Sequence, residues 1–487
     1  MDSVRVRFAP SPTGFLHIGS LRTVLFNYFI AKKYGGTLIL RVEDTDRKRE
    51  VAGSAEGLVD ILSWAGIHFD EGPTQGGKFG PYIQSKRLAI YEKYAGELLA
   101  KDEAYRCFCT PERLEEMKQA QAEKKLPPRY DRACRNLSVE ETEKRAAAGE
   151  PFVLRQKLPL DQEVVVVDEI RGEIKFRSEN LEDHVLVKSD GWPTYQFASV
   201  VDDHLMEISH VVRGDEWISS FPKNILLYRA FGWMPPKFIH IPLTLNKEGG
   251  KLSKRQGDVA VEDYRAKGYL PEALINFCAL LGWHPKEDNE LLSLDGIVAK
   301  FEIKDIGESP AIFDVEKLDY FNGYYIRRKT IDELVGLCRP FLAERIGADD
   351  PRLKDKQLLH GVVMLAQERM KKLSDIYELS EFFFAEPEYA AELLIWKKLA
   401  AAEVKENLEK ILELLQKIPD GEWTKHSTKD VLMTSIESKG LKTGDYLWPL
   451  RAALTGRKFS PGPFEVAEVL GKDQSITRIT NAIKKLE

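Results

Sequence analysis

Apolar and polar residues alternate in short blocks at the start of the chain. Residues 4–8 (VRVRF) alternate as a strand does, and proline and glycine interrupt the pattern across residues 9–14 (APSPTG). Apolar residues then recur every three or four positions across residues 18–29, which predicts an amphipathic helix that ends near Gly35. Residues 37–42 (TLILRV) predict a buried strand. Strand, turn, helix and strand make a βαβ unit, so we expect a parallel sheet with a ligand at the carboxyl ends of its strands.

The pattern changes between residues 100 and 190. Cysteines, a charged helical stretch near residues 112–125 and a strand-like segment at residues 163–168 (EVVVVD) follow one another there. This mixture indicates an inserted α+β module. Strand-like patterns then return, with a helix near residues 223–230 among them. They lie at residues 192–201, 210–213 and 238–245.

Beyond residue 246 the chain is mostly helical in pattern. Leucine-rich amphipathic segments lie at residues 271–281, 331–342, 358–373 and 400–415. Proline and glycine mark candidate boundaries at Pro340, at residues 347–351 and at residues 419–421. We therefore expect an α/β fold: a Rossmann-like parallel-sheet domain split by an α+β insertion, followed by all-α C-terminal domains. The expected domains are residues 1–99 with 191–245, residues 100–190, residues 246–328, residues 329–388 and residues 389–487.

Composition narrows the class of protein. The 487 residues allow three or more domains, and the 43% hydrophobic content is enough for several cores. No secretory apolar segment follows Met1 and no apolar run of about 18 residues occurs, so we expect a cytoplasmic protein that does not enter a membrane. Five cysteines are too few for a disulfide scaffold of this length, which favours reduced thiols.

Net charge does not identify a partner. The 71 basic and 77 acidic side chains leave a formal charge of −6. Basic residues nevertheless cluster at residues 327–329, 371–372 and 457–458. Each cluster is compatible with a surface that faces nucleic-acid phosphates and, more commonly, with a solvated helix face, so charge alone decides nothing.

Two short stretches carry most of the chemical information. Residues 17–20 (HIGS) begin the first predicted helix, where free backbone N–H groups and a partial positive charge favour phosphate. Residues 251–255 (KLSKR) follow two glycines in a loop whose spaced cations suit the charge that grows on a phosphate during transfer. Alone, the first is compatible with a helix-capping turn and the second with a solvated basic loop. Together, with the first on a strand-to-helix turn, they predict a site that holds ATP and stabilises attack at its α-phosphate. The chain has neither a P-loop motif nor Gly-x-Gly-x-x-Gly, so neither a P-loop ATPase nor a dinucleotide enzyme is indicated.

Longer motifs surround these two stretches. In chain order they are RFAPSPTG, RVEDTD, DEGP, SDGWPTYQFASVVDDHLM, VVRGDEW, LLYRAFGW and KLSKR. Together they resemble the motifs of bacterial glutamyl-tRNA synthetases, a family of class I aminoacyl-tRNA synthetases. The resemblance runs from residue 7 to about residue 325 and is weaker beyond. It implies a ligase that activates L-glutamate with ATP and transfers the glutamyl group to the 3′ end of tRNA-Glu.

The resemblance also implies roles for residues at matching positions. Residues that would bind glutamate are Arg7, Ala9, Ser11, Glu43, Tyr195 and Arg213, with Glu43 accepting from the α-ammonium group. Residues that would bind ATP are His17, Gly19, Glu216, Trp217, Ser253 and Lys254. Residues that would act on the phosphates in catalysis are His17, Lys251, Lys254 and Arg255. A bidentate guanidinium suits the side-chain carboxylate that Arg7 would meet, whereas Tyr195 and Trp217 are also compatible with a core role.

Two metal ions enter these expectations. Mg²⁺ is expected with ATP, held by phosphates and water rather than by a protein cage. Cys107, Cys109 and Cys134 resemble the zinc-binding knob that some family members carry in the insertion. Where some members have a histidine two residues after the third cysteine, this chain has Asn136, a poor ligand. Tyr130 is the alternative fourth ligand, so the presence of Zn²⁺ is left open.

The helical third resembles the anticodon-binding bundle of the bacterial enzymes. Arg369 stands where the family has an anticodon-reading arginine, although a surface arginine without that role fits nearly as well. The same resemblance implies that residues 100–190 bind the acceptor end of tRNA, that residues 246–328 contact its stem, and that the protein is a monomer. Three alternatives are a glutaminyl enzyme, a shorter tRNA-modifying glutamyl transferase and an inactive tRNA-binding relative. The helical third, the chain length and the intact phosphate-binding residues, respectively, speak against them.

Overall fold

The computed structural model describes residues 4–12, 14–46, 53–250, 252 and 259–487. Four residues of the predicted phosphate-binding loop therefore lie outside the described residues: Lys251, Ser253, Lys254 and Arg255. The chain forms two compact units. Unit one comprises Met1–Arg265 and Pro271–Val315, and unit two comprises Ala266–Leu270 and Glu316–Glu487.

Unit one contains the strands. They are β1 (Arg5–Phe8), β2 (Thr37–Leu40), β3 (Ala104–Cys107), β4 (Val153–Gln156), β5 (Glu163–Asp168), β6 (Gly172–Arg177), β7 (Val185–Val187), β8 (His210–Gly214), β9 (Lys237–Ile241), β10 (Thr244–Leu245) and β11 (Ala311–Ile312). The main sheet has the strand order β2-β1-β8-β9-β5-β6, a second sheet has the order β3-β4-β7, and β10 pairs with β11. In the main sheet the first five strands run parallel, and β6 is antiparallel to β5.

Helices connect these strands and form unit two. Those before residue 315 are α1 (Ile18–Lys33), α2 (Ser54–Trp64), α3 (Leu88–Ala100), α4 (Pro111–Glu123), α5 (Val139–Ala147), α6 (Tyr195–Leu205), α7 (Phe221–Phe231), α8 (Val261–Ala266), α9 (Pro271–Ala279) and α10 (Leu294–Lys300). Those that follow are α11 (Val315–Arg328), α12 (Ile331–Ile346), α13 (Lys356–Ala366), α14 (Asp375–Ser380), α15 (Ala401–Gln416), α16 (Lys425–Ser438), α17 (Thr443–Thr455), α18 (Pro463–Leu470) and α19 (Lys472–Lys485). No helix in the described part of the chain is long and apolar enough to cross a membrane.

The first βαβ unit forms as the sequence predicts. β1 and β2 are parallel neighbours, and α1 between them packs on β1, β2 and β8. The return from α1 to β2 needs a glycine, because a Cβ atom at Gly36 would lie 2.3 Å from the backbone oxygen of Val4. Helices α6 and α7 share a hydrophobic core with Ile39, Val211 and Phe238 of the sheet. The predicted fold class, a parallel sheet covered by helices, is confirmed.

The segment predicted as a strand at residues 192–201 is mostly helix α6. Its apolar residues, among them Phe197, Val200 and Val201, are buried as expected. A short apolar run is compatible with a buried strand and with a buried helix, which is why the periodicity alone misleads. The helix has a consequence for the site, because Tyr195 begins it and Asp203 lies on it.

The sheet of the insertion contains fewer strands than the sequence predicts for residues 100–190. Strands β3, β4 and β7 form its antiparallel sheet. The hairpin of β5 and β6, which the sequence places in the 100–190 segment, instead extends the main sheet, with Asp168 opposite Phe238. Alternating burial in EVVVVD predicts a strand but cannot tell which sheet the strand joins.

Unit two is all-helical in its described residues. Helix α12 begins at a capping box between Thr330 and Glu333 and continues through Pro340 to Ile346, so the predicted boundary at Pro340 is wrong. A proline inside a helix removes one hydrogen bond and bends the helix without necessarily ending it. The helix predicted over residues 358–373 ends at Ala366, whereas the segments at 331–342 and 400–415 are confirmed as parts of α12 and α15.

Candidate active site

A cleft of about 520 Å³ opens at the carboxyl ends of β1, β2 and β8. A parallel sheet places its ligand at this edge. The walls come from the loops after β1 and β2, the start of α6 and the turn after β8. The predicted ligand-binding residues that line it are Arg7, Ala9, Ser11, His17, Glu43, Tyr195, Arg213, Glu216 and Trp217. Residues from both parts of the split domain thus meet in one cleft.

The turn that carries His17 is tightly held. His17 is the N-cap of α1, and its Nδ1 accepts a hydrogen bond from the backbone N–H of Gly19 at 2.9 Å. Because Nδ1 accepts, the proton of a neutral ring lies on Nε2, where it is a side-chain donor. A Cβ atom at Gly19 would lie 3.2 Å from this Nδ1, so a side chain there would press on the ring.

Residues 259–261 follow the predicted phosphate-binding loop and pair with this turn. The backbone N–H of Ile18 donates to the oxygen of Val259 at 2.8 Å, and that of Val261 donates to the oxygen of Leu16 at 2.8 Å. Val259 and Val261, which follow the predicted loop in the chain, are therefore held beside the turn that carries His17.

A second hollow, of about 260 Å³, adjoins the turn. Leu252 is the residue of KLSKR that the structure describes, and it lines this hollow together with Gly19 and Gly214. Leu243 and Thr244, which the sequence does not single out, line it as well. The two predicted nucleotide-binding stretches therefore share one wall.

Arg7 lines the cleft, and two of its three guanidinium nitrogens donate to Asp203. Its Nε donates to Asp203 Oδ1 at 2.9 Å and its Nη2 to Asp203 Oδ2 at 3.4 Å. Arg41 Nη1 lies 2.7 Å from the same Asp203 Oδ1. Burial alone lowers the pKa of Arg7, but the Asp203 carboxylate more than offsets it and the pKa is raised. Arg7 is thus a fixed cation whose charge is already paired.

Glu43 lies just past β2 and has one carboxylate oxygen without a partner. Its Oε1 accepts hydrogen bonds from Arg41 Nε at 3.2 Å and Nη2 at 3.0 Å. Its Oε2 is buried, and no described residue donates to it. Burial raises the pKa of Glu43 to about 7, against the opposing effect of Arg41. A ligand cation at Oε2 would supply the missing partner and favour the ionised form.

Arg213 is a buried cation without a carboxylate partner among the described residues. Its Nε donates to His240 Nε2 at 2.9 Å, and its Nη1 and Nη2 both donate to Asn224 Oδ1 at 3.3 Å. Both acceptors are neutral. Burial lowers the pKa of Arg213 to about 10, so the guanidinium keeps its charge near neutral pH.

Arg213 is the buried guanidinium of this group that no described carboxylate pairs. Arg7 and Arg41 contact Asp203, Arg41 also contacts Glu43, and Arg87 contacts Asp202. Because an unpaired buried charge is costly, the surroundings of Arg213 are complementary to an anionic group of a ligand.

Two aromatic side chains form one rim of the cleft. The ring centroids of Tyr195 and Trp217 lie 4.8 Å apart. Trp217 is 36% exposed and lines the cleft, so it is not a core residue. Burial raises the pKa of Tyr195, which keeps its hydroxyl protonated as a donor. Glu216 is exposed beside Trp217.

The sequence did not single out the residues that hold these groups. Arg41, Asp203, Asn224 and His240 each contact a predicted ligand-binding side chain. Two sequence features could have indicated them: the paired aspartates in the apolar run SVVDDHLM and the arginine inside RVEDTD. Charged residues in apolar segments indicate buried charges, which are rare without partners. For His240 the sequence offered only its position in a strand.

The cysteine cluster of the insertion is compact. The sulfur atoms of Cys107, Cys109 and Cys134 lie within 4.8 Å of one another. The Tyr130 hydroxyl lies 3.2 Å from Cys107 Sγ and 3.6 Å from Cys109 Sγ. Asn136 is exposed. Tyr130, the alternative fourth ligand, therefore reaches the cluster.

Arg369 is exposed in the turn that follows α13. Its anticodon-reading role stays a prediction. Cys278 and Cys338 are fully buried, as expected for core residues.

Two protein-family models match this chain. The model "tRNA synthetases class I (E and Q), catalytic domain" matches residues 3–320, and the model "Anticodon binding domain" matches residues 333–483. The chain belongs to the class I tRNA synthetases of the E and Q type. Matches to this synthetase family extend over the full chain. The glutamate–tRNA ligase of Clostridium tetani is 45% identical and covers 100% of this chain and 98% of its own length. That of Treponema denticola is 42% identical, with 99% of each chain covered.

A solved synthetase structure shows the same fold. The crystal structure of a glutamate tRNA ligase from Elizabethkingia meningosepticum, in complex with its amino acid, superposes with a TM-score of 0.91. It is 36% identical to this chain and covers all of both chains. The predicted class I synthetase fold, with an α/β catalytic part and a helical anticodon-binding part, is confirmed.

Proposed function

We propose that this chain is a glutamate–tRNA ligase, which activates L-glutamate with ATP and transfers the glutamyl group to the 3′ end of tRNA-Glu. The observation that carries the proposal is a single cleft lined by Arg213, which no described carboxylate pairs, and by Glu43, whose buried Oε2 has no donor among the described residues. Relatives at 42–45% identity over the full chain bear the same activity in their names.

The cleft is complementary to L-glutamate in charge. The side-chain carboxylate would bind Arg213 and Arg7 Nη1, for which the described residues provide no acceptor, and the α-ammonium would bind Glu43 Oε2. Tyr195 would donate to the substrate from the rim, with Ala9 and Ser11 lining the opposite loop. Glutamine in the same place would leave a buried cation without its anion, which disfavours it.

ATP would lie along the turn that carries His17. The N-terminus of α1 and the His17 Nε2–H are donors for phosphate oxygens. The second hollow, bounded by Gly19 and Leu252, suits the adenine ring, with Glu216 and Trp217 near the ribose and base. Lys251, Ser253, Lys254 and Arg255 would act on the phosphates.

The reaction needs no nucleophile from the protein. An oxygen of the glutamate α-carboxylate forms a bond to the α-phosphorus of ATP, and the bond to the bridging oxygen breaks as pyrophosphate leaves. A terminal ribose hydroxyl of tRNA then attacks the carbonyl carbon of the adenylate, loses its proton and displaces AMP. The protein contributes positioning and stabilisation of phosphate charge by His17 and the lysines of KLSKR.

Mg²⁺ would accompany ATP and neutralise charge on the phosphate oxygens. The carboxylates that line the cleft are either paired with arginine, as Glu43 Oε1 is, or exposed, as Glu216 and Asp46 are. This donor set fits an ion held mainly by phosphates and water rather than a protein cage.

We propose that the insertion holds a structural zinc ion on Cys107, Cys109, Cys134 and Tyr130. Three cysteine sulfurs within 4.8 Å of one another and the Tyr130 hydroxyl, 3.2 Å from Cys107 Sγ, offer four ligand atoms, the number that tetrahedral zinc takes. Metal analysis of the purified protein tests this: about one zinc per chain is expected, and the Cys109→Ser variant is expected to lose it. Metal-free wild-type protein would contradict it.

The remaining parts would bind tRNA. Residues 100–190 would hold the acceptor end, residues 246–328 the stem, and residues 329–388 and 389–487 the anticodon, with Arg369 reading it. We infer a monomer that acts in the cytoplasm. The nearest rival is a glutaminyl enzyme, which the uncompensated charge of Arg213 disfavours.

Aminoacylation with purified tRNA tests the proposal. The protein is incubated with ATP, Mg²⁺ and radiolabelled glutamate or glutamine, with tRNA-Glu or tRNA-Gln. Glutamate on tRNA-Glu is the expected product. Glutamine on either tRNA, or no charging at all, would overturn the proposal. Glutamate on tRNA-Gln as well would support it and identify a non-discriminating enzyme.

A further inference from the structure

Three neighbouring strands place Asp168, His240 and Arg213 in a row. Arg213 on β8 is the register partner of His240 on β9, and β5, which ends at Asp168, lies on the other side of β9. The side chains of Asp168 and His240 are fully buried. Only Arg213 of the three lines the cleft described above.

The hydrogen bonds in this row have a fixed direction. An arginine only donates, so His240 Nε2 accepts from Arg213 Nε. The ring proton therefore lies on Nδ1, which donates to Asp168 Oδ2 at 2.7 Å. Burial lowers the pKa of His240, so the ring is neutral and keeps this tautomer.

Asp168 is itself held rigidly. Its Oδ2 also accepts from the backbone N–H of His240 at 3.0 Å, and its Oδ1 accepts from the backbone N–H groups of Ile170 and Arg171, both at 3.0 Å. Four hydrogen bonds thus fix the carboxylate, the carboxylate fixes the imidazole, and the imidazole fixes the guanidinium.

The neutral imidazole has a specific advantage over a carboxylate in this position. Asp203 contacts Arg7 directly and compensates its charge. His240 orients Arg213 but brings no negative charge to it, because the charge of Asp168 lies one residue further back. We infer that Asp168 and His240 are positioning residues that keep Arg213 oriented and uncompensated, and so set the preference for a side-chain carboxylate. This inference rests on the proposed function.

Substitution of His240 tests the inference. Asparagine can still donate to Asp168 but cannot reach Arg213, whereas glutamine can present an acceptor near the position of Nε2. We expect His240→Asn to raise the KM for glutamate by on the order of 10- to 100-fold, as for loss of a hydrogen bond to a charged group. The kcat, the KM for ATP and the KM for tRNA should change less than about threefold. His240→Gln should recover most of the KM.

The matched control is His210→Asn on the same strand as Arg213. His210 is bonded to Ser209 and lies outside the cleft, so its KM for glutamate should match wild type. The ratio of kcat/KM for glutamate over glutamine should fall in His240→Asn alone. Equal losses in the asparagine and glutamine variants of His240, or a loss spread over kcat and all three KM values, would overturn the positioning role.

A measurement on the wild-type protein does not depend on the folding of any variant. NMR spectra of protein labelled with ¹⁵N-histidine report the tautomer of each ring. The signals of His240 are those that are present in the wild-type spectrum and missing from that of His240→Gln. They should show a protonated Nδ1 and an unprotonated Nε2. The opposite tautomer, or an imidazolium, would overturn the inference. If wild-type protein fails to charge any tRNA with glutamate, the proposed function fails, whereas normal charging with an unchanged His240→Asn variant refutes only the positioning role.

Discussion

The two units of this chain use arginine in opposite ways. In unit one, Arg7, Arg41 and Arg213 are buried at the carboxyl ends of parallel strands and are oriented by named acceptors. In unit two, Arg369 is exposed, and the buried Arg478 donates to backbone oxygens such as that of Leu454. The first arrangement suits a small ligand of fixed charge. The second leaves its exposed cations available to a large, solvated anion.

The difference follows from the cost of burying charge. A buried cation that lacks an anion is destabilising unless a ligand supplies one, so its presence identifies the charge of the ligand. An exposed cation is solvated whether or not RNA is bound, so its position alone carries little information. The contacts in unit one therefore indicate the charge of its ligand, whereas the role of the exposed arginines in unit two is tested by RNA-binding measurements.

The strongest test of this contrast removes the uncompensated cation. Arg213→Ala should lower kcat/KM for glutamate by roughly 30-fold to several thousandfold, because the substrate carboxylate loses a buried charged partner. Steady-state aminoacylation of tRNA-Glu measures it. Arg213→Lys should recover little, since one ammonium cannot replace two parallel donors. Arg229→Ala, an exposed arginine on α7, is the control, and a comparable loss there would contradict the role of burial.

The second prediction concerns Lys254 of the predicted phosphate-binding loop, which lies outside the described residues. Lys254→Ala should slow adenylate formation by on the order of 10²- to 10³-fold, the cost of removing one donor from a transition-state charge. Pyrophosphate exchange in the presence of tRNA-Glu measures it, and filter binding measures tRNA affinity, which should change little. Lys247→Ala is the control, since Lys247 is exposed just before the loop and pairs with Asp314. A parallel loss of tRNA binding would assign the loop to RNA contact instead.

Glu43 should make glutamate binding depend on pH. The ammonium group pairs only with the ionised carboxylate, and the pKa of Glu43 is raised to about 7. Affinity should therefore fall as the pH drops through about 7, and Glu43→Gln should bind on the order of tenfold more weakly with no such step. Calorimetric titration of glutamate without ATP measures both. The exposed Glu92→Gln is the control, and an unchanged pH step in Glu43→Gln would show that another group titrates.

Unit two should show the smallest effect. Arg369→Ala should raise the KM for tRNA-Glu by about five- to tenfold, the lower end for a base-reading arginine. The KM for glutamate should not change. The exposed Arg339→Ala of the same unit is the control. Equal effects in both variants would make Arg369 one of many solvated cations.

Much of the fold was predictable because its patterns are local. The βαβ unit follows from apolar periodicity and from Gly36, and the helices of unit two follow from leucine spacing. Helix α6 and the hairpin of β5 and β6 were misplaced, because a short apolar run does not specify helix or strand, nor which sheet a strand joins. Long-range pairing decides both.

The candidate site was predictable in part. The residues that line the cleft lie in motifs such as RVEDTD and VVRGDEW, so they could be identified from the sequence. Asp203 and His240, which orient them, are distant in the chain and depend on which strands become neighbours. No described carboxylate pairs with Arg213, and the proposed substrate preference rests on this observation. It is a property of the folded cleft that no sequence motif contains.

Amino-acid preference tests the central claim most directly. Wild-type protein is titrated calorimetrically with L-glutamate and, separately, with L-glutamine under identical conditions. If the uncompensated charge of Arg213 selects the ligand, glutamate should bind and glutamine should bind at least about a hundredfold more weakly. Comparable affinities for the two amino acids would contradict the account.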